Sequence, residues 1–415
     1  MTMLTPVIQR SNISMVLPWL AFATLISILP VAFLYEKGGR VLFYYCGYFS
    51  VLGTISEFYM RRNFKLINNK ALSLLILGVM FIGWSIIVQI SPHTQIEEYY
   101  TAGKRCLIGF LIINYIFFLV NSGVINKQYA VRLGILSLSL AFITASLFGI
   151  YQGLTTSERV VLGINRATLT AYAYSALTLS LIAIILNFED TVQKKLYFIL
   201  VAVVSLYVIM LTQTRAAMVI HTLFLIYMAF RLFALTRNVK LIGSIALMMF
   251  IAIGVSYKLI EKRVERTIVE YDNYQKGNDK TSLGSRFTMW KTGILAFEQE
   301  PFGQTQYNRN KFIKNYLYTH HQRDSWALRY IDVHLHNEFI QFSSLFGVSG
   351  ILALIYFFYV YIYAEIKRSH TLTPLAVTGL TILLYGMTDV ILTSVEFIAM
   401  FSVMAVLLSL IQGET

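Results

Sequence analysis

Residues 336–363 read HNEFIQFSSLFGVSGILALIYFFYVYIY, a polar start followed by an apolar run long enough to cross a membrane as a helix. Similar runs of about 20 residues recur along the chain. Only helices and closed barrels satisfy every backbone polar group in lipid, and continuous apolarity without strict alternation excludes the barrel. The sequence therefore predicts an all-α integral membrane protein.

The overall composition agrees with this interpretation. Hydrophobic residues make up 57% of the 415 residues, and the mean hydropathy is +0.63. Ordinary soluble domains are about 45–50% apolar. We predict twelve spans, at residues 13–35, 39–57, 71–91, 104–121, 131–151, 167–187, 195–211, 216–235, 239–257, 337–363, 372–388 and 392–411.

The distribution of basic residues predicts the orientation of these spans. The short loops after spans two, four, six, eight and ten are rich in Lys and Arg, whereas the opposite short loops are poorer in both. By the positive-inside rule the richer loops and both termini are cytoplasmic. The segment 258–336 then faces the outer side, which divides the chain into residues 1–257 (spans one to nine), 258–336 (outer loop with amphipathic helices) and 337–415 (spans ten to twelve).

The formal net charge of +13 comes from 34 Lys and Arg against 21 Asp and Glu. These residues are dispersed over loops on both sides, so anionic membrane lipids are the expected partner and nucleic acid is not. Cys46 and Cys106 fall in apolar spans without metal-ligand spacing, so neither a disulfide framework nor a zinc site is indicated. A divalent ion at Glu97 and Glu98 is a weak alternative to two solvated carboxylates, and we expect no metal and no cofactor.

Two arginines stand out in the outer-facing parts of the chain. The segment 258–275 is predicted to form a charged helix, and a second amphipathic helix is predicted to start near Arg286, in its first turn. An arginine there opposes the helix dipole unless an anion binds beside it. Arg215 lies in a minimal turn between spans seven and eight. A solvated Arg286 and an Arg215 that extends to the head groups are the alternatives.

His336 lies at the outer mouth of span ten. Helical geometry predicts that His336, Ser343, Gly347 and Gly350 share one stripe of that helix, with His334 pointing elsewhere. A neutral imidazole can accept a proton near physiological pH. A base together with two cations suggests group transfer from a diphosphate, although a lone histidine is more often structural.

These residues resemble a known family. His336-Asn337, nine residues, Gly347, two residues and Gly350 match the signature His-[Asn/Ser/Gln]-x9-Gly-x2-[Gly/Thr/Tyr] of the bacterial O-antigen ligases. Leu211-Thr-Gln-Thr-Arg215 and Ser282-Leu-Gly-Ser-Arg286 are similar to the segments that carry that family's essential arginines, in the same order. The resemblance implies a fold like that of the membrane-embedded C-type glycosyltransferases, with a large helical periplasmic loop between helices nine and ten.

The resemblance also implies an activity. The family moves an O-antigen glycan from undecaprenyl diphosphate to a sugar hydroxyl of lipid A-core, on the periplasmic face of the inner membrane, without metal or nucleotide. We expect His336 to be the base in an inverting displacement and Arg215 and Arg286 to bind the diphosphate. As further substrate-binding candidates we name Arg159 for phosphate, Asn337 for the acceptor, and Asp389, which can orient His336 or an arginine.

Two other functions remain open from the sequence. An O-antigen polymerase would use the same donor with a second lipid-linked glycan as acceptor. A lipid-linked glycan flippase or another transporter is a different class, but it normally shows repeats or polar residues near the bilayer midplane, and here the distinctive residues gather at the outer rim. The oligomeric state is not predicted.

Overall fold

A computed structural model describes residues 12–61, 68–88, 96–188, 191–255 and 257–413. Within these ranges the regular structure is helical throughout, without a strand. The α-helices are α1 (Asn12–Leu34), α2 (Glu36–Arg61), α3 (Asn69–Val88), α4 (Ile96–Asn121), α5 (Lys127–Thr155), α6 (Ala167–Leu186), α7 (Val192–Thr212), α8 (Arg215–Thr236), α9 (Val239–Val255), α10 (Tyr257–Gln275), α11 (Ser282–Gln299), α12 (Gln306–Thr319), α13 (Glu338–Phe358), α14 (Ala364–Ser369), α15 (Pro374–Gly386) and α16 (Val395–Ile411). A π-helical turn, Tyr359–Tyr363, joins α13 to α14.

Each of the twelve predicted spans coincides with a helix, although α4 begins eight residues before the predicted residue 104. Among the described residues, eight helical stretches are long and apolar enough to cross a membrane, and α15 and α16 are shorter apolar helices. The protein is therefore an all-α, multi-pass membrane protein. The number of twelve crossings remains a prediction. Arg62 and Lys65, two of the basic residues in the short loop after predicted span two, lie outside the described residues.

Helix α6 lies at the centre of the bundle. The apolar, membrane-spanning part of α6 is entirely buried, and α6 packs against α15, α7 and α8. Hydroxyl groups join it to its neighbours: Ser180 bonds Thr378 of α15 at 2.6 Å, and Ser175 bonds Nδ1 of His221 in α8 at 2.9 Å. Because nearly every face of α6 is covered by protein, its small polar residues find partners inside the membrane region. These hydrogen bonds join α6 to α8, which begins with Arg215, and to α15, which precedes Asp389.

The segment 258–336, called the outer segment after its predicted orientation, contains three α-helices, α10, α11 and α12. The first two were predicted, but α12 was not, because its sequence QYNRNKFIKNYLYT has too few apolar residues to show a helical period. Helix α11 packs against α10, α12 and α13. A second hydrophobic cluster holds the segment together, formed by Met289, Ile313, Leu317, Ala327, Ile331 and Leu335. The division of the chain at residues 257 and 336 remains a prediction.

The predicted stripe on span ten is wrong. His336 precedes α13 and has a positive φ of 50°, and α13 itself is interrupted at Gly347, where φ is 62° and ψ is −146°. The backbone of residues 301–304 fills this interruption, with Val348 N donating to Pro301 O at 2.8 Å. A Cβ at Gly347 would lie 2.3 Å from Pro301 O. Glycine is needed here for its backbone angles and for close approach of a loop, rather than of a neighbouring helix.

Candidate active site

His336 is held by the residue that follows it. Asn337 caps α13, since its side-chain oxygen accepts hydrogen bonds from Phe339 N at 3.0 Å and Ile340 N at 3.1 Å. Its amide nitrogen donates to Met387 O at 2.9 Å. Asn337 thus ties the start of α13 to the loop after α15, and a contact with the acceptor remains a prediction.

Asp389 lies in that loop, against His336. Nδ1 of His336 is 3.1 Å from Oδ1 of Asp389, and the two side chains are 21% and 12% exposed. Burial alone would raise the pKa of Asp389, but the hydrogen bond and charge of His336, with further contributions from His334 and Arg286, lower it overall. An ionised carboxylate can only accept, so Nδ1 of His336 carries the hydrogen. When the imidazole is neutral, Nε2 therefore carries the lone pair.

His334 does not point away from His336, contrary to the expectation. The ring centroids are 4.2 Å apart, and Nδ1 of His334 accepts a hydrogen bond from the His336 amide at 3.3 Å. Burial, followed by the charge of His336, lowers the pKa of His334 to about 4. His334 is therefore a neutral support for the His336 backbone at physiological pH.

A possible metal-binding group coincides with this cluster. Among the described residues, His334, His336 and Asp389 offer ligand atoms that lie within 4.8 Å of one another. Two imidazoles and a carboxylate suit a transition metal such as zinc. Glu98 does not belong to this group. The side chain of Glu97 lies outside the described residues, so the carboxylate pair itself is not tested.

A buried acid holds the Asp389 loop in place. Oε2 of Glu338, in the first turn of α13, accepts hydrogen bonds from Ile391 N at 2.6 Å and Leu392 N at 3.1 Å. These amides come two and three residues after Asp389, so Glu338 fixes the loop that presents Asp389 to His336. Glu338 was not predicted from the sequence, because an acidic residue in the first turn of a helix is common.

Arg215 is the first residue of α8 and follows the tight turn 212–214. Arg159 fastens this turn: its Nε donates to Thr212 O and its Nη2 donates to Thr214 Oγ1, both at 2.9 Å. Burial, and then the nearby charges of Arg215 and Arg286, lower the pKa of Arg159, although Tyr172 acts in the opposite direction. Arg159 therefore positions the turn that carries Arg215, and its guanidinium lies within electrostatic range of Arg215 and Arg286.

The guanidinium of Arg215 is paired with a residue that the sequence analysis did not single out. Glu270 of α10 accepts two hydrogen bonds from it, Nη1 to Oε2 at 3.0 Å and Nη2 to Oε1 at 2.7 Å. Glu270 Oε2 also accepts from Leu283 N at 3.0 Å. The charged helix that contains Glu270 was predicted from the sequence. Its contact with Arg215, more than fifty residues earlier in the chain, could not be predicted, because no local sequence pattern indicates it.

Arg286 lies further along α11 than predicted. Thr281 is the N-cap and Ser282 the first helical residue, so Arg286 comes just after the first turn. The dipole argument for an anion at Arg286 is weakened accordingly. Its charge nevertheless affects the pKa values of Asp389, His334 and Arg159. Arg286 is thus within electrostatic range of both the histidine pair and the other arginines.

Helix α11 connects the two halves of the candidate site. Near its start, Leu283 N binds Glu270, the partner of Arg215, and further along, Trp290 Nε1 donates to His336 O at 3.1 Å. Seven residues of α-helix cover roughly 10 Å. Arg286 lies between these two contacts. Contacts of α11 therefore link the part of the fold that holds His336 and Asp389 to the part that holds Arg215 and Arg159, with Arg286 between them.

An apolar groove begins at the arginine end of this region. A cavity of about 530 Å³ is lined by residues of α8, α9 and α10, with Arg215 and Arg263 at its outer end. A second cavity of about 320 Å³ shares Thr222 and Ile253 with the first and extends to Phe230. From Arg215 to Phe230 the groove follows α8 for roughly 22 Å.

The chain is similar to known proteins. A family model described as O-antigen ligase matches residues 200–355, the part that contains Arg215, Arg286 and His336. The O-antigen ligase of Escherichia coli (strain K12) is 26% identical over 327 residues, which cover 77% of this chain and 76% of that protein. Both matches agree with the resemblance found from the signature residues. The chain is therefore similar to the O-antigen ligases, both in the segment that carries the signature residues and over most of its length.

Proposed function

We propose that this protein transfers an O-antigen polysaccharide from undecaprenyl diphosphate to a sugar hydroxyl of lipid A-core. The observation that carries the proposal is the pairing of His336 with Asp389 in the same outer region as Arg215 and Arg286, at the head of an apolar groove. A base and a set of phosphate-binding cations are the two groups that this reaction needs.

The groove and the arginines suit the two parts of the donor. An apolar channel open to lipid accepts a polyprenyl chain, and guanidinium groups bind phosphate oxygens through paired N–H donors. With the diphosphate at Arg215 and Arg286, the sugar attached to it extends along α11 toward His336. Arg159 supports the turn that presents Arg215 and adds positive charge.

The reaction is a single displacement. The acceptor hydroxyl gives its proton to Nε2 of His336 while its oxygen forms a bond to the anomeric carbon of the donor sugar. The bond from that carbon to the phosphate oxygen breaks, and undecaprenyl diphosphate leaves with the electron pair. Attack opposite to the leaving group inverts the anomeric centre, and Asp389 stabilises the imidazolium until the proton passes to solvent.

The cations take the place of a metal in this mechanism. Arg215 and Arg286 balance the charge that grows on the departing diphosphate. The distribution of basic loops supports a site on the periplasmic face of the inner membrane, with both termini in the cytoplasm. The expected partners are lipid-linked O-antigen, lipid A-core and membrane lipids.

Reconstitution tests this function. The purified protein in liposomes, supplied with undecaprenyl diphosphate-linked glycan and lipid A-core as the sole acceptor, should form glycosylated core, and His336→Ala should abolish product. An O-antigen polymerase would leave the core unmodified and lengthen the lipid-linked glycan instead. A flippase would move glycan across the bilayer without coupling it. Product formed at the wild-type rate by His336→Ala would overturn the proposal.

A further inference from the structure

Glu270 occupies a position built to bind an anion. Its carboxylate receives two hydrogen bonds from the guanidinium of Arg215 and one from the backbone amide of Leu283. Leu283 is the second residue of α11, in the turn whose N-cap is Thr281. A guanidinium fork together with a free amide at a helix N-terminus is the donor set that proteins use for phosphate.

The carboxylate of Glu270 is ionised and largely buried from solvent. Its side chain is 9% exposed. Burial by itself would raise the pKa of Glu270, but the hydrogen bonds and charge of Arg215, the Leu283 amide and the charge of Arg266 lower it overall. Glu270 is therefore an ionised group at neutral pH, and it uses the two N–H donors of Arg215 that a phosphate would need.

The surroundings explain why an anion is required there. Burial and then the charges of Arg159, Arg266 and Arg215 lower the pKa of Arg263, which also lines the outer end of the groove and donates to Gln213 Oε1 at 2.8 Å. Several guanidinium groups that repel one another are thus held close together. Without a counter-charge, α8, α10 and α11 would tend to separate at this point.

We propose that Glu270 is a displaceable stand-in for one phosphate of the donor, an inference that rests on the proposed function. When the donor binds, a phosphate takes over the Arg215 fork and the Leu283 amide, and the carboxylate moves toward solvent. After transfer, Glu270 returns and competes with the leaving undecaprenyl diphosphate. Glu270 is in this sense a specificity-determining residue, because only a ligand with enough charge displaces it.

The substitution Glu270→Gln separates this role from a structural one. Glutamine has the same shape and can still accept from Leu283, but it holds Arg215 far more weakly. If Glu270 competes with phosphate, the variant binds diphosphate more tightly, by about fivefold or more, as expected when a coupled competing interaction is removed. If Glu270 serves only to orient Arg215, the same variant binds diphosphate more weakly. The two roles predict opposite signs.

The experiment uses the full chain in lipid nanodiscs with inorganic pyrophosphate as the probe. Binding is measured by calorimetry for the wild type, Glu270→Gln and Glu270→Asp. Glu265→Gln is the matched control, since Glu265 lies on the same helix, is exposed and loses the same charge. We expect tighter pyrophosphate binding in Glu270→Gln, an intermediate value in Glu270→Asp and no change in Glu265→Gln.

Thermal unfolding gives a second measurement. Glu270→Gln should unfold at a lower temperature than the wild type without ligand, and pyrophosphate should raise its Tm by more than it raises the wild-type Tm. Weaker binding by Glu270→Gln, or an equal gain in Glu265→Gln, would overturn the inference. Both measurements are independent of glycan transfer, so a failure of the proposed reaction is recognised separately.

Discussion

Asp389→Asn tests the link between the carboxylate and His336. Asparagine keeps the size of the side chain and can still accept the Nδ1 hydrogen, but it removes the negative charge 3.1 Å from the imidazole. Two unit charges about 4 Å apart interact by about 4 kcal/mol at an effective dielectric constant of 20. Both side chains are partly open to solvent, at 21% and 12%, which lowers the value.

A loss of about 2–4 kcal/mol in stabilisation of the imidazolium corresponds to a roughly 30- to 1000-fold lower rate of the chemical step. The donor KM should change much less, because Asp389 acts on the base and the arginines bind the diphosphate. Single-turnover kinetics with preloaded donor measure the chemical step directly. Asp324→Asn is the control, because that carboxylate belongs to the same outer segment and is 75% exposed.

A wild-type single-turnover rate for Asp389→Asn would refute this reasoning. A fall in rate that is matched by Asp324→Asn would also contradict it, because the effect would then come from the net charge of the outer segment. Loss of folding is recognised from the elution profile and the Tm of the variant.

Four further predictions concern other parts of the site. Arg286→Lys should raise the donor KM by about 10- to 100-fold, because an ammonium group cannot replace a planar fork on phosphate; steady-state kinetics with varied donor measure this. The pKa of His334 is lowered to about 4 in the folded protein, so between about pH 6.5 and 4 the unfolded chain binds a proton that the folded protein does not. The Tm should therefore fall as the pH falls through this window. In His334→Asn the fall should be less steep. Gly347→Ala should lower the Tm or prevent folding, because φ is 62° and the added Cβ would lie 2.3 Å from Pro301 O. Gly83→Ala is the control and should be tolerated, because no atom lies within 4 Å of the Cβ added there. Glycan transfer should continue in EDTA. Added zinc should inhibit the wild type by binding His334, His336 and Asp389. A loss of activity in EDTA that zinc restores would contradict the metal-independent mechanism.

The membrane helices could be predicted from local composition. Each apolar run of about 20 residues is long enough to span a bilayer, and no distant contact is needed to recognise it. Helix α12 was missed because a helix stabilised by tertiary contacts need not show a regular apolar period. The helical stripe through His336 was wrong because Asn337 caps α13 and Gly347 interrupts it, and both features depend on backbone angles.

The apolar runs by themselves determined that this is a helical membrane protein, and the signature residues determined its resemblance to the O-antigen ligases, since hydropathy and short motifs are properties of neighbouring residues. Tertiary structure alone decided that Glu270 pairs with Arg215, that Glu338 holds the Asp389 loop and that Asp389 meets His336. These partners lie more than fifty residues apart in the chain. Contacts between residues so far apart depend on how the helices pack, and this packing cannot be predicted from a local pattern of residues.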